Sequence, residues 1–296
     1  MRKVLFFLIA ICTHIYGTYA KNKISIGVIQ YNSENIDKSF AELRELGFET
    51  CQLAYNNKFD PAFAERLQKA SKKYNIKVTT VIGVPGKYST WNFKDGPSTI
   101  GLVPQKEREE KMIEYKKMID FCALANIPAI HSHFGFIPED PSSELYKNFV
   151  HTMQILAQYA KNKNIMIYFE TGQETPITLV RAIKDIGFDN IYINCDLANL
   201  LMYGKANAID AVRIFGNLIK EVHAKDGKYP DPNNPYELGE EVSIPTGDVN
   251  FPAVIKELKR QNFEGSLTIE CELNGDHKDY IIQTKTYLQN LLNEEN

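Results

Sequence analysis

Apolar residues along this chain cluster in short runs, with longer stretches of amphipathic spacing between them. The runs Ile24 to Gln30, Thr50 to Ala54, Lys77 to Ile82, Ala129 to His133, Ile165 to Glu170, Ile191 to Asp196, Leu218 to His223 and Leu267 to Glu270 are rich in β-branched and aromatic residues. Their length and content suit buried strands. Helical spacing marks Asn35 to Leu46, Pro61 to Tyr74, Gln105 to Ala125, Glu144 to Lys161, Pro176 to Ile186, Ala208 to Phe215, Phe251 to Gln261 and Asp279 to Asn293. Eight alternations in about 275 residues predict an α/β fold, a single (β/α)8 TIM barrel. An open doubly wound sheet would carry a Gly-rich phosphate turn after its first strand, and Gln30-Tyr31-Asn32-Ser33 is not one. No Gly/Ser-rich linker, repeat or low-complexity tract divides the chain, so residues 21–296 read as one domain. The longest irregular pieces, Gly83 to Pro104 and Asp226 to Val249, follow strands, which in a barrel puts them on the catalytic face.

Residues 1–20 read differently. Met1-Arg-Lys precedes an apolar run from Val4 to Cys12, and small residues around Thr18-Tyr19-Ala20 precede Lys21. A basic start, a short apolar centre and small residues at a cleavage point describe a secretory signal peptide. The expected product is exported, periplasmic and without a stable membrane anchor, because no run is long enough to span a bilayer. Removing this segment takes away two of 34 Lys and Arg and none of 37 Asp and Glu, so a formal charge of −3 becomes more negative. That balance excludes nucleic acid as the main partner and is compatible with a homo-oligomer. The remaining cysteines, Cys51, Cys122, Cys195 and Cys271, are widely spaced and read as buried thiols rather than a disulfide framework or a nucleophile.

Candidate chemistry lies at the strand ends. Runs five to eight finish on Glu170, Asp196, His223 and Glu270. Parallel strands present the same end to the same side, so the fold gathers these four over one mouth. Three carboxylates and one imidazole suit one divalent ion, Mn²⁺, Mg²⁺ or Co²⁺, with Zn²⁺ a poorer match. Such an ion could bind a sugar carbonyl and its neighbouring hydroxyl and stabilise the enediolate left by proton loss. Glu170 and Glu270 are then candidates for base and acid on opposite faces of the reacting carbon.

The segments Tyr168-Phe-Glu170-Thr-Gly-Gln-Glu-Thr-Pro, Asn194-Cys-Asp196-Leu-Ala-Asn199, Val222-His223-Ala-Lys-Asp226 and Ile269-Glu270 resemble the sugar phosphate isomerase/epimerase family. This xylose isomerase-like barrel superfamily also holds ketose 3-epimerases, inosose dehydratases and endonuclease IV. The resemblance spans the chain beyond its export segment. It implies that Glu170, Asp196, His223 and Glu270 bind one divalent metal, and that the two glutamates double as an acid/base pair. Many epimerases carry a histidine where this chain has Asn199, and endonuclease IV needs more histidines than the six present. The expected activity is metal-dependent isomerisation or epimerisation of a small carbohydrate. The alternative is a lyase that uses the same proton abstraction to expel a β-substituent from a keto-sugar, keto-glycoside or inosose.

Secondary candidates surround the ring. His131 and His133 face the same way on the fourth strand, and His133 is placed for proton shuttling. Lys225 and Asp226, just past His223, are candidates for sugar hydroxyls, as are Asn199 and His131. Trp91, the one tryptophan, sits in a catalytic-face loop where it could stack on a sugar ring. Tyr31 and Tyr55 follow strands one and two, and Glu174 is placed for the first turn of the Pro176 helix.

Overall fold

Each apolar run forms a strand: β1 (Ser25–Gln30), β2 (Thr50–Ala54), β3 (Lys77–Ile82), β4 (Ala129–Ser132), β5 (Met166–Glu170), β6 (Ile191–Asp196) and β7 (Ile219–Ala224). A two-residue ladder of β8 (Asp226–Gly227) with β9 (Glu241–Val242) then precedes β10 (Ser266–Ile269). In this computed structural model, which describes residues 24–31, 34–56, 59–273, 275 and 277–294, the eight longer strands close into a barrel ordered β1-β10-β7-β6-β5-β4-β3-β2. Neighbouring strands are all parallel. The expected export segment lies outside the described residues. Among these, no helix is long and apolar enough to cross a membrane.

Local chemistry starts and stops the surrounding helices. Asp60, Ser143, Thr175 and Asn207 each accept a hydrogen bond from the backbone N–H three residues on, capping Pro61–Tyr74, Glu144–Lys161, Pro176–Ile186 and Ala208–Phe215. Pro61 and Pro176 take first-turn positions, where no N–H is needed. Asn75, Asn126 and Gly187 end their helices in the left-handed conformation.

Side-chain alternation divides the strands into two faces. Leu53, Ile167, Ile193, Cys195, Val222 and Leu267 join Phe40, Leu67, Phe149, Leu156, Val254 and Leu258 in the buried shell between barrel and helices. Each large apolar side chain buried there contributes about 1.5–3 kcal/mol. The opposite face points into the barrel and is polar: Thr50, Gln52, Thr80, His131, Asn194, Glu221, Ser266 and Thr268 are all buried. Gly27 belongs to this interior, where a Cβ would stand 2.8 Å from the Ser266 hydroxyl and 2.9 Å from that of Thr50. Glycine lets β1 close against those hydroxyls.

The departures from expectation are short. β4 ends at Ser132, so His133 begins the following loop. A six-residue helix, Leu197–Met202, follows Asp196 directly; it is too short to show a period in sequence. Cys51, Cys122 and Cys195 are buried free thiols, as expected of them, but Cys271 is only half-buried, with its Sγ 3.2 Å from Nδ1 of His277.

Candidate active site

The C-terminal ends of β5, β6, β7 and β10 converge. Register sets Asp196 opposite His223 and Ile269 opposite Ala224, so Glu270 falls one residue past its strand, beside them. Nδ1 of His223 stands 2.9 Å from Glu170 Oε1, 2.7 Å from Glu270 Oε2 and 3.5 Å from Asp196 Oδ2. One donor atom from each of the four lies within 4.8 Å of the others, and all four residues are buried. Asp196 also caps the Leu197–Met202 helix, its Oδ1 accepting from the Asn199 N–H at 2.6 Å. One oxygen is thereby fixed in place, and the other faces the cluster.

The donor set fits a divalent cation. Nδ1 of His223, Oδ2 of Asp196 and Oε2 of Glu270 are buried atoms without a hydrogen-bond partner among the described residues. Three acceptor-type atoms turned toward one point repel one another unless something positive stands between them. Burial disfavours charge on His223, and Glu270 and Glu170 overcome it, raising its imidazole far above the usual range. A proton there stands in for a cation.

Neighbours decide the carboxylates in the same way. Burial would raise Glu270, but Lys225 and His223 outweigh it and hold the group at about 2. Burial of Glu170 is likewise outweighed, by His133, His223 and His131, leaving it well below the ordinary carboxylate range. For Asp196 burial prevails over His223 and Lys225 and pushes it up to about 7. The two glutamates differ in what holds their remaining oxygens. Glu170 Oε2 lies 2.9 Å from Nε2 of His131 and 3.5 Å from Nε2 of His133, whereas Glu270 Oε1 lies 3.6 Å from the Lys225 ammonium.

A cavity of about 260 Å³ opens above the cluster, lined by Trp91, His133, Gln173, Asn199, Met202, Tyr203, Lys225, Leu238, Glu241, Glu270 and Glu272. A larger hollow of about 900 Å³ sits at the opposite, N-terminal end of the strands. It gathers no carboxylate–imidazole cluster, so size alone does not locate the chemistry. The smaller cavity holds His133, Lys225, Asn199 and Trp91 from the sequence-derived set. Trp91 is 45% exposed, with its ring 4.8 Å from that of His133.

Two sequence candidates for sugar contact are placed elsewhere. His131 is fully buried, its Nδ1 3.2 Å from the Thr80 hydroxyl and its Nε2 against Glu170; it does not line the cavity. Asp226 is also fully buried, and its carboxylate accepts from the N–H groups of Gly227, Gly247 and Val249 at 2.9, 2.8 and 3.1 Å. It anchors the loop after β7 rather than facing the cavity. Gly247 is required for that approach, because a Cβ would collide with the Asp226 carboxylate. Tyr31 stands exposed after β1, Tyr55 lines a separate hollow with Phe59 and Glu114, and buried Glu174 faces the Ile137 N–H at 3.5 Å.

Several lining residues escape sequence reading. Glu241 arrives on β9, where its Oε1 accepts from the Glu272 N–H at 3.0 Å and its Oε2 lies 3.7 Å from Lys225. Gln173 and Tyr203 come from loop and helix end. Glu272 had a usable signal, since it follows Glu270 by two residues and repeats its direction; the Lys225 ammonium donates to it at 2.7 Å.

Known proteins place this arrangement in context. An uncharacterised protein of Methanocaldococcus jannaschii is 30% identical over 263 residues, covering 84% of this chain and 83% of its own. The inosose dehydratase of Clostridium tetani is 25% identical over 165 residues, covering 50% of this chain and 55% of its own. A crystal structure of a xylose isomerase domain protein from Planctomyces limnophilus superposes with a TM-score of 0.83 at 29% identity, covering 90% of this chain and 96% of its own. More distant solved structures include sugar epimerases and a dehydratase, and at their lower identity they speak for the shared fold alone. The model of the xylose isomerase-like TIM barrel family matches residues 40–291, and the chain belongs to that family.

Proposed function

We propose that this protein is a divalent-metal-dependent sugar isomerase or epimerase that abstracts a proton next to a carbonyl. The observation that carries the reading is the pair Glu170 and Glu270, which share His223 Nδ1 and have different nitrogen partners at their remaining oxygens, histidines for Glu170 and Lys225 for Glu270. The ion suited to three carboxylates and one imidazole, Mn²⁺, Mg²⁺ or Co²⁺, would be held by Glu170, Asp196, His223 and Glu270 and would supply Lewis-acid polarisation of the carbonyl. Lys225 keeps Glu270 ionised, the state a base must be in before it takes a proton. Glu170 has His133 within 3.5 Å, and burial pushes that imidazole below its usual range, so that it gives up a proton readily. The wall also offers two buried atoms without a complete hydrogen bond among the described residues, Nε2 of Gln173 and the Tyr203 hydroxyl. Sugar hydroxyls would satisfy both. A cavity of about 260 Å³ suits one sugar ring, being slightly below the ~300 Å³ at which pockets for larger ligands begin. The first twenty residues support a periplasmic location, which N-terminal sequencing of exported protein would check.

A lyase reading is favoured by one further feature. Lys225 is buried, stays cationic among Glu270, Glu272 and Glu241, and borders the cavity, where its charge would stabilise a departing oxyanion. The likeness to an inosose dehydratase points the same way. Proton NMR in D₂O, on ketoses, aldoses and 3-keto-glycosides incubated with Mn²⁺-loaded protein, separates the readings. Deuterium next to the carbonyl with all substituents kept supports isomerase or epimerase. Loss of water or aglycone with an enone signal supports the lyase. No exchange with any of them removes the proposal for these sugars.

A further inference from the structure

The polar interior beneath the cluster forms one hydrogen-bonded chain. Gln52 on β2 is fully buried. Its Nε2 meets two acceptors, Glu221 Oε2 in a very short contact and Asn194 Oδ1 at 3.5 Å. Its Oε1 lies 2.8 Å from Nε2 of His223. An amide that donates through nitrogen must accept through oxygen, so His223 Nε2 carries a hydrogen, and Nδ1 faces the carboxylates above as the nitrogen open to a proton or to a cation. Glu221 closes the chain on the other side. The Thr80 hydroxyl donates to its Oε2 at 3.4 Å and lies 3.2 Å from Nδ1 of His131, whose Nε2 meets Glu170. Two members of the cluster are thus gripped from one buried carboxylate.

We propose that Gln52, oriented by Glu221, is a positioning residue that locks His223 into the form with hydrogen on Nε2 and Nδ1 free to ligate. The inference rests on the metal-site reading above and adds what prepares that site. An apolar residue at position 52 would satisfy packing but leave the imidazole free to rotate or to place its hydrogen on Nδ1. Outer partners of metal-ligating histidines act in this way, fixing both tautomer and ring plane.

The test compares wild type with Gln52→Met, which removes the acceptor at similar volume, and Gln52→Glu, whose carboxyl shares one proton with Glu221 and keeps an oxygen toward His223. Calorimetric titration with Mn²⁺ reads affinity. Correlation spectra of ¹⁵N-histidine-labelled protein, metal-free and Mg²⁺-loaded, read the His223 Nε2–H. We expect the Mn²⁺ dissociation constant to rise about 10- to 100-fold in Gln52→Met and to stay within about threefold of wild type in Gln52→Glu. The Nε2–H should exchange slowly with solvent in wild type and Gln52→Glu, and rapidly in Gln52→Met. Wild-type affinity in Gln52→Met, or a Mg²⁺-loaded wild type whose Nε2 lacks a hydrogen, overturns the proposal. Should Gln52→Met not fold, the wild-type spectrum still decides. A wild type that binds no Mn²⁺ defeats the metal-site reading instead, and the metal-free spectra then report on Gln52 alone.

Discussion

The two faces of the same strands follow opposite rules. Outward, Ile167, Ile193 and Val222 enter an apolar shell, where volume and shape matter and one aliphatic residue can replace another at modest cost. Inward, at the alternate positions, Glu170, Asn194, Glu221 and His223 are equally buried but polar. There polar atoms need specific partners, and three that lack one, Nδ1 of His223, Oδ2 of Asp196 and Oε2 of Glu270, lie together in the cluster. Burial alone therefore does not separate the packed shell from the site.

Substitutions on the two faces should separate along that line. The largest effect is expected inward: Glu270→Gln should slow deuterium exchange next to the carbonyl about a hundred- to ten-thousand-fold while far-ultraviolet circular dichroism stays unchanged. An unaltered exchange rate would remove Glu270 from the chemistry. Outward, Phe149→Ala empties a fully buried site beside Phe169 and should cost about 3–5 kcal/mol in denaturant unfolding, without altering Mn²⁺ stoichiometry in the folded protein. A change in stoichiometry would mean the shell and the site are not separable. Mn²⁺ at about one hundred times its dissociation constant should add about 2.7 kcal/mol of stability, reversed by a chelator. An unmoved melting temperature would argue against a metal ion in the cluster.

Smaller effects sharpen the boundary. Burial pushes Glu174 up to about 8, so the folded state holds its proton more tightly than the unfolded chain, whose carboxyl titrates near 4.5. Its contribution to stability is then greatest below pH 4.5 and declines as pH rises toward 8. Glu174→Gln should flatten that decline, so that its melting temperature gains on wild type with rising pH; parallel curves would show that Glu174 is not the group responsible. The smallest effect belongs to the exposed pair Lys69 and Glu65, where Lys69→Ala should leave the melting temperature unmoved by thermal unfolding. A clear drop would show that surface pairs contribute more here than their exposure suggests.

Much of the fold was legible because strand and helix periods differ and because eight alternations leave few closed solutions. Glu170, Asp196, His223 and Glu270 were legible as a set for the same reason, each closing a run of similar grammar. Gln52 and Glu221 were not singled out, although each is a polar residue inside an apolar run and Glu221 precedes His223 by one strand repeat. Their meaning depends on an atom contributed by another strand. Asp226 was misread from its closeness to His223, since two more N–H groups that engage its carboxylate come from Gly247 and Val249. The lining residue Leu238 lies in an irregular loop and Glu241 on a two-residue strand, neither of which is long or regular enough to show a period.

By itself, the sequence determined the order and kind of elements, the closure into a barrel and the residue types gathered at its mouth, because these follow from local periodicity and the shared direction of parallel strands. Only the tertiary structure decided which carboxylate oxygen meets which nitrogen, that Gln52 rather than a carboxylate holds His223 from below, and that Asp226 serves the loop instead of the cavity. Hydrogen bonds are short and directional, so partners far apart in the chain are chosen by the closed barrel and not by spacing along it.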